Sequence, residues 1–173
     1  ITSNAVMAQK EEGKEHKQGL RFGYHLAHQV GDNATAGGLS NFYVGLFHNN
    51  RIAPTLSWYK GVEYFQNGYD NSDNTFRRIH TISVPLMLRL KLGPVYAHTG
   101  LAGNFKLSET HEVGGVDVKN SDTRAPLFDL PVLIGGGFKF LFMSLEARYG
   151  YGLIPVNDGV NNSYLQLGLS VSL

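Results

Sequence analysis

Histidine, serine and carboxylate side chains are the residues of this sequence that could do chemistry. There are seven histidines, which raises the question of a metal site. Structural zinc ligands come at short, closed spacings, and no two of these histidines have such a spacing. We therefore expect no metal site. We interpret the histidines as scattered polar groups, with His25 and His98 inside the fold and the others near rims, loops or the N-terminal tail.

Hydrolytic catalysis would need a nucleophile, a base and a carboxylate within hydrogen-bond reach of one another. One available set is His80, Ser83 and Glu63, and barrel enzymes that trim lipid A or cleave peptides do exist. Nothing in the spacing of these three residues brings them together. We predict that the protein is not an enzyme, with an outer-membrane barrel enzyme acting on lipid A or peptides as the alternative.

Two further motifs could bind ions. Oxygen ligands for calcium are offered by Asp70, Asn71, Asp73 and Asn74, but the order of an EF-hand loop is absent and such runs are usually solvated turns. The triple glycine at 135–137 lacks the Lys-Ser/Thr of a phosphate-binding loop. Its expected role is to relieve crowding inside a narrow barrel. We expect no cofactor.

Composition excludes several classes of protein. The chain has 173 residues, no cysteine and a formal net charge of +1, with 17% charged residues. Without cysteine there is no disulfide partner and no thiol chemistry, and near-neutral charge argues against nucleic-acid binding. The 21 glycines are about 12% of the chain, above the usual 7% or so. No run of 18 apolar residues is present, so only a barrel could span a membrane.

Alternation of apolar and polar residues is the dominant pattern and predicts strands. In the clearest segment, 81–92, the even-numbered residues are aliphatic, while the odd-numbered ones include Pro85 and Arg89. Segments 128–140 and 163–173 alternate in the same way, and five weaker segments bring the count to eight: 19–28, 41–50, 54–65, 95–107 and 144–154. Residues 1–18 mix both charges without a period. We predict a polar tail over 1–18 and one domain over 19–173.

The predicted connections differ in length between the two ends of the strands. Short turns fall at 48–52, 92–94 and 139–142, whereas long polar loops fall at 31–38, 66–75, 108–123 and 155–162. This arrangement predicts an all-β fold, an eight-stranded antiparallel up-and-down transmembrane barrel. An even strand number puts both termini and the short turns in the periplasm, with the loops around Asp32, Asp70, Gly115 and Asn161 outside.

The alternative fold is a soluble lipocalin-like binding barrel with the aliphatic face turned inward. Small residues on the opposite face suit a cramped interior better than a wet exterior: Gly23, Gly61, Gly100, Ala102, Gly135, Gly137, Gly150 and Gly168. Aromatic residues also end the aliphatic face at both rims, as in interfacial girdles: Phe42, Tyr64, Phe105, Phe128 and Tyr151 by the long loops, and Phe138, Phe140 and Phe142 by the short turns. We predict a membrane barrel, in which Lys60 on the lipid face snorkels to the headgroups.

The order of these strands resembles the PorT-type outer-membrane β-barrel family over residues 19–173. The segments that carry the resemblance are ISVPLMLRLKLGP, with its Gly93-Pro94 turn, and SLEARYGYGL, which follows a glycine-rich strand. The resemblance implies an eight-stranded barrel in the bacterial outer membrane. It also suggests a link to type IX protein secretion, with which the family's namesake is associated.

Charged residues on the inward face form the candidate site: Arg21, Glu63, Arg89, Glu146 and Arg148, with Asp129 on the same face. The interior of an eight-stranded barrel is only just wide enough for side chains. We predict that these charges pair, that Glu146 is the shared acceptor for two or three guanidinium groups, and that the barrel does not conduct. The alternative is that each charge is separately hydrated in a wet lumen.

The predicted function follows from this set of observations. We expect a small, non-catalytic outer-membrane barrel that acts as an anchor or accessory subunit of an envelope protein assembly. Its expected partners are outer-membrane lipids and another envelope protein or membrane complex.

Overall fold

The computed structural model describes residues 16–31, 38–71, 75–113, 116–117, 126–155 and 159–173. Ten strands lie in these ranges, and they form one antiparallel sheet. The strands are β1 (His16–Val30), β2 (Leu39–Arg51), β3 (Leu56–Asn71), β4 (Thr75–Leu92), β5 (Val95–Val113), β6 (Val116–Asp117), β7 (Phe128–Asp129), β8 (Pro131–Phe140), β9 (Met143–Gly152) and β10 (Asn161–Ser172).

Pairing of the first strand with the last closes the sheet into a barrel. β1 pairs with β2 on one side and with β10 on the other. Each of the other long strands also pairs with two neighbours, and β6 and β7 are two-residue additions to β5. The predicted eight-stranded antiparallel up-and-down barrel is therefore confirmed, with walls formed by β1 to β5 and β8 to β10. No helix in the described ranges is long and apolar enough to cross a membrane.

One row of paired residues runs around the whole barrel and measures its stagger. The row leaves β1 at Gln18 and returns to β1 ten residues later, at His28. Between them it passes through His48, Lys60, Leu86, Leu101, Val132, Tyr151 and Ser163. A stagger of ten residues over eight strands tilts the strands by about 40° from the barrel axis. Each step along the row then rises by about 3 Å, so the row climbs from one rim to the other.

The aliphatic face points outward, so the lipocalin-like alternative is wrong. Leu86, Leu88 and Leu90 are 52%, 38% and 43% exposed, while Met87 and Arg89 between them are buried. The aromatic residues predicted for the two girdles are exposed as well. We call the outward apolar surface between the girdles the belt. The interior, by contrast, holds charged and polar side chains among aromatic rings.

Several predicted boundaries need correction. β1 begins at His16, so residues 16–18 of the predicted tail are paired with β2. The first short turn lies at 52–55 and not at 48–52, because the polar run HNNR continues the ladder with β3 as far as Arg51. The predicted strand at 128–140 is interrupted at Leu130. The two tightest turns contain Gly93 and Leu141, with φ of 67° and 54°.

The hairpin of β4 and β5 is longer than the sequence predicted. These strands have 18 and 19 residues, against 10 each in β8 and β9. The polar segments 66–71 and 108–113, predicted as loop, are strand. A register shift opposite His80 and Thr81 leaves Leu107 as an extra residue in β5. The hairpin therefore rises past the end of the belt.

The ends of the described chain lie together at the rim that carries the short turns. His16 pairs with Asn50, next to the first turn, and the amide of Leu173 donates to the carbonyl of Gln18. The loop positions Asp32 and Gly115, and Asp73 and Asn74 of the calcium motif, fall outside the described residues.

Candidate functional site

Five inward-facing charged residues meet in the lumen. They come from four strands that are distant in sequence: Arg21 of β1, Glu63 of β3, Arg89 of β4, and Glu146 and Arg148 of β9. Each is buried, with at most 7% of the residue exposed. We call them the lumen cluster.

Glu146 contacts all three arginines. Its Oε1 lies 2.7 Å from an Nη of Arg21 and accepts a hydrogen bond of 3.2 Å from Arg148. Its Oε2 accepts hydrogen bonds from Arg89 at 3.0 Å and from the hydroxyl of Tyr96 at 2.7 Å. One carboxylate thus links β1, β4, β5 and β9 across the lumen.

Glu63 joins two of the same arginines from the opposite wall. Its Oε1 accepts hydrogen bonds of 2.8 Å from both Arg21 and Arg148, and one of 3.3 Å from the hydroxyl of Tyr59. Arg21 also donates to the amide oxygen of Gln166 at 3.4 Å. Since Arg21 and Arg148 touch both carboxylates, the five residues form one connected network. Charge-assisted hydrogen bonds of this kind are among the strong ones in proteins.

Three guanidinium groups and two carboxylates leave the lumen cluster with one excess positive charge. Tyrosine rings pack against the guanidinium groups of the cluster. The face of an aromatic ring attracts a cation, so these contacts stabilise the arginines. The guanidinium carbons lie 4.1 to 5.3 Å from ring centroids: Arg21 over Tyr43, Arg89 over Tyr59 and Tyr96, and Arg148 over Tyr59.

Glycines on the inner wall make room for these side chains. Gly45 lies between Arg21 and Glu63 in the ladder, and a β-carbon there would stand 2.7 Å from Cγ of Glu63. Gly137 lies beside Glu146 in the same way, and a β-carbon there would stand 2.6 Å from the hydroxyl of Tyr96. Small inward residues therefore let large charged ones meet in a narrow lumen.

A second inward layer lies nearer the long-loop rim. The Nε2 of His25 is 3.1 Å from Oδ1 of Asn67, and its Nδ1 is 3.3 Å from the side-chain nitrogen of Gln166. The ring of His25 also stacks on Phe65, with centroids 4.3 Å apart. His25 is thus a hydrogen-bonded interior residue. In the described residues no group of three His, Asp or Glu side chains is placed to hold a metal ion.

The other candidates from the sequence stay apart from the lumen cluster. Asp129 faces inward but accepts hydrogen bonds from the backbone amides of Leu130 and Ile154. His80 is on the outer face, 2.6 Å from the hydroxyl of Tyr64, whereas Glu63 and Ser83 are buried inside. The set of His80, Ser83 and Glu63 is therefore divided by the barrel wall.

A smaller ion network lies beyond the belt, where the β4–β5 hairpin leaves the membrane past Phe105. Glu109 accepts hydrogen bonds from Nε of Arg77 at 2.7 Å and from Nζ of Lys106 at 2.8 Å. We call these three residues the mouth triad. Burial alone would raise the pKa of Glu109, but the hydrogen bonds and charges of Lys106 and Arg77 outweigh it and hold the pKa below its usual value.

The short-turn mouth holds a wider cavity of about 120 Å³ beside the first turn, lined by Lys17, Asn49 and Ser57 among others. Next to the lumen cluster the free space narrows to a cavity of about 20 Å³, lined by Arg89, Tyr96 and Lys139 among others. That volume is enough for about one water molecule. The cluster can therefore tie the walls together and obstruct passage through the barrel.

Several parts of this site were missed by reasoning from the sequence. The roles of Gly45 and Gln166 depend on which residues lie opposite them in the ladder. Strand alternation does predict that Tyr43, Tyr59 and Tyr96 share the inward face with the arginines. That alternation was the one available signal for the rings over the guanidinium groups.

Comparison with known proteins gives structural relatives only. No protein-family model matches the sequence, and no curated protein matches it. Neisserial surface protein A (NspA) is 19% identical with a TM-score of 0.60, over 90% of this chain and 97% of that one. Ail, the attachment invasion locus protein of Yersinia pestis, is 14% identical with a TM-score of 0.59, over 92% of this chain and 99% of that one. The outer membrane protein OprG of Pseudomonas aeruginosa is 12% identical with a TM-score of 0.50, over 92% and 97%.

These structures share the fold of outer-membrane β-barrels, whereas the PorT-type resemblance stays a prediction from the sequence. At such identities the likeness concerns the fold. The outward belt adds an independent argument, because a closed barrel with an apolar exterior and a polar interior is built for hydrocarbon. The chain has the fold of the small transmembrane outer-membrane barrels, and the belt and fold together place it in the bacterial outer membrane.

Proposed function

We propose that this protein is a non-catalytic outer-membrane anchor or accessory subunit, which holds another envelope protein at one of its rims. The observation that carries the proposal is the lumen cluster, which ties β1, β3, β4 and β9 together inside the barrel. A lumen occupied by paired charges leaves the rims and the outer wall as the surfaces on which the protein can act.

The hairpin of β4 and β5 is the favoured contact surface for a protein partner. It extends beyond the belt, and its outer side carries Arg78, which is exposed and lies 4.9 Å from the ring centroid of Phe76. Arginine and aromatic residues are both enriched at protein interfaces. The long-loop rim faces the cell exterior in this proposal, with the short turns in the periplasm.

The test is purification from native membranes in mild detergent, after light crosslinking, with identification of the proteins that remain bound. Arg78→Glu should lose the partner, whereas Arg51→Glu, an exposed arginine at the opposite rim, should retain it. Loss in Arg51→Glu alone would move the contact to the short-turn rim. A wild-type protein that purifies without any partner would contradict the anchor role.

Type IX protein secretion is the candidate assembly suggested by the resemblance to PorT-type barrels. Deleting the gene and following the export of cargo proteins to the cell surface tests this part separately. We expect reduced cargo export together with secretion subunits among the co-purified proteins. Normal export, with a different partner bound, would remove the secretion link and keep the anchor role.

A further inference from the structure

The belt has a polar notch near the short-turn rim. Gln18, His48 and Lys60 lie side by side on β1, β2 and β3, at the lower end of the row that circles the barrel. Lys60 is exposed on the outer face and stands about 6 Å above Gln18 along the barrel axis. At similar heights on β1, β4 and β9 the outward residues are the aliphatic Leu20, Leu88 and Leu145, and the outward residue of β5 is the uncharged Thr99. The notch is therefore the place where polar outward residues, among them a lysine, stand on three adjacent strands.

An apolar groove opens beside this notch. It has a volume of about 550 Å³ and is lined by the three notch residues and by Leu46, Val62 and Val84, with Gly61 and Leu173 among the others. The lining contains one lysine and no aspartate or glutamate side chain. The groove thus combines an aliphatic wall with a cationic group at one end.

Pro85 explains why the wall is uneven at this place. The ladder between β3 and β4 pairs Lys60 with Leu86 and next pairs Glu63 with Ser83. Between these two pairs, Gly61 and Val62 have no paired residue on β4. Proline has no backbone N–H to donate to a neighbouring strand. The interruption lies directly at the groove, where Gly61, Val62 and Val84 line it.

Lys60 lacks an ion-pair partner within the described part of the chain. The carboxylates of the lumen cluster lie on the other side of the wall, and each is already held by arginines. A lysine facing hydrocarbon is costly unless its ammonium reaches a polar partner. At this height the nearest source of anions outside the protein is the phosphate layer of the adjacent leaflet.

We propose that Lys60 and the groove form a binding site for one anionic phospholipid of the leaflet on the short-turn side. The phosphate group lies on the ammonium of Lys60, and one acyl chain follows the wall formed by Leu46, Val62 and Val84. Charge complementarity favours this occupant. A second copy of this chain would place another Lys60 against the first in a two-fold arrangement, and like charges repel.

The first test measures lipid retention by native mass spectrometry of the detergent-purified protein. Equal amounts of phosphatidylglycerol and phosphatidylethanolamine are added. The wild type should retain phosphatidylglycerol about fivefold more than phosphatidylethanolamine, the effect of about one cation at a membrane surface. Lys60→Gln should abolish the preference. Lys91→Gln, a matched loss of charge at the short-turn side but away from the groove, should keep it.

The second test fills the groove without changing its charge. Val62→Phe should reduce retention of phosphatidylglycerol, because the ring occupies the path of the acyl chain. Val44→Phe is the matched control, since Val44 is also an exposed belt valine but does not line the groove.

Three results would overturn the proposal. They are equal retention of both lipids by the wild type, an unchanged preference in Lys60→Gln, and a dimer in place of a lipid-bound monomer. The far-ultraviolet circular dichroism of each variant establishes that its barrel is intact. If the Lys60→Gln variant does not form an intact barrel, the comparison of Val62→Phe with Val44→Phe tests the proposal.

Discussion

The lumen cluster and the mouth triad are built from the same chemical groups but occupy different surroundings. In the lumen cluster, two carboxylates form ion pairs with three guanidinium groups in the interior of the barrel. The side chains of Arg21 and Glu146 have no exposed surface. In the mouth triad, Glu109 accepts hydrogen bonds from Arg77 and Lys106 beyond the belt. The Lys106 and Glu109 side chains keep 11% and 9% of their surface exposed, and that of Arg77 keeps 3%. Charges near solvent are screened, whereas buried charges depend on one another. Removing one member should therefore have unequal effects in the two networks.

The largest expected effect comes from removing the shared acceptor of the lumen cluster. Glu146→Gln leaves Arg21, Arg89 and Arg148 with Glu63 as the remaining carboxylate of the cluster. It should lower the free energy of unfolding by about 3 to 5 kcal/mol, since the change strands buried like charges. Urea unfolding of the protein in lipid vesicles measures this. A loss below about 1 kcal/mol, the size of an exposed pair, would remove the contrast between the two networks.

An arginine introduced on the outer face of the barrel has no carboxylate partner, unlike the arginines of the lumen cluster, and so provides a second comparison. Val84 is an outward residue of the strand that carries Arg89, and it lies closer to the middle of the belt than Lys60 does. Val84→Arg should cost about 2 to 4 kcal/mol, because at that depth the guanidinium reaches neither the headgroups nor a carboxylate. Leu92→Arg, at the short-turn end of the same strand, is the control and should cost about 0 to 1 kcal/mol. Equal costs at both positions would mean that the outer face does not lie in hydrocarbon.

The room available to the side chains is a third difference between the two networks. The lumen cluster fits inside the barrel only because glycines line the wall beside it. Gly45→Val places side-chain atoms where Arg21 and Glu63 meet, and overpacking of this kind costs about 1 to 3 kcal/mol. Thermal unfolding of the detergent-solubilised protein measures the change. Gly159→Ala is a poor control because Gly159 has a φ of 72°. Val44→Ala, on the outer face of the same strand, is a better one. A Gly45→Val barrel as stable as the wild type would show that the cluster has room for the added side chain and does not depend on this glycine.

The smallest effect is expected at the mouth triad. Glu109→Gln should cost about 1 kcal/mol or less at pH 7 and low salt, and less again at high salt. Since the pKa of Glu109 is lowered in the folded state, its contribution is present above the unfolded pKa and disappears as the pH falls through the folded value. Wild type and variant should therefore converge in stability in acid. A difference that remains once acid has protonated Glu109 in both the folded and the unfolded state would contradict this assignment.

Alternation of residue types was enough to predict the fold and the direction of most side chains. Leu86, Leu88 and Leu90 are outward and Arg89 is inward because the side-chain period of a strand is two. Alternation cannot say which inward residues meet. Arg21 and Glu63 are neighbours across Gly45 only because of the stagger between strands, and a slip of one residue would turn each side chain to the other face.

The full length of β5 could not be predicted from the sequence either. Segment 108–113 contains Ser108, Glu109, Thr110 and His111, a composition that indicates a loop. These residues nevertheless continue β5, since β4 is there to pair with them. The hairpin rises beyond the belt, where neither face of a strand has to be apolar. The hydropathy pattern that marks strands inside the membrane is therefore absent where β5 leaves it.

Single-channel recording of the purified wild-type protein in a planar lipid bilayer tests most directly whether the lumen cluster closes the barrel. The interior of an eight-stranded barrel is only just wide enough for its side chains, and here those side chains are paired across the lumen. We predict no steady open events of porin size in membranes where fluorescence of labelled protein shows that the barrel has inserted. Steady conductance of that size from the wild type would contradict the closed lumen and would point to transport as the function.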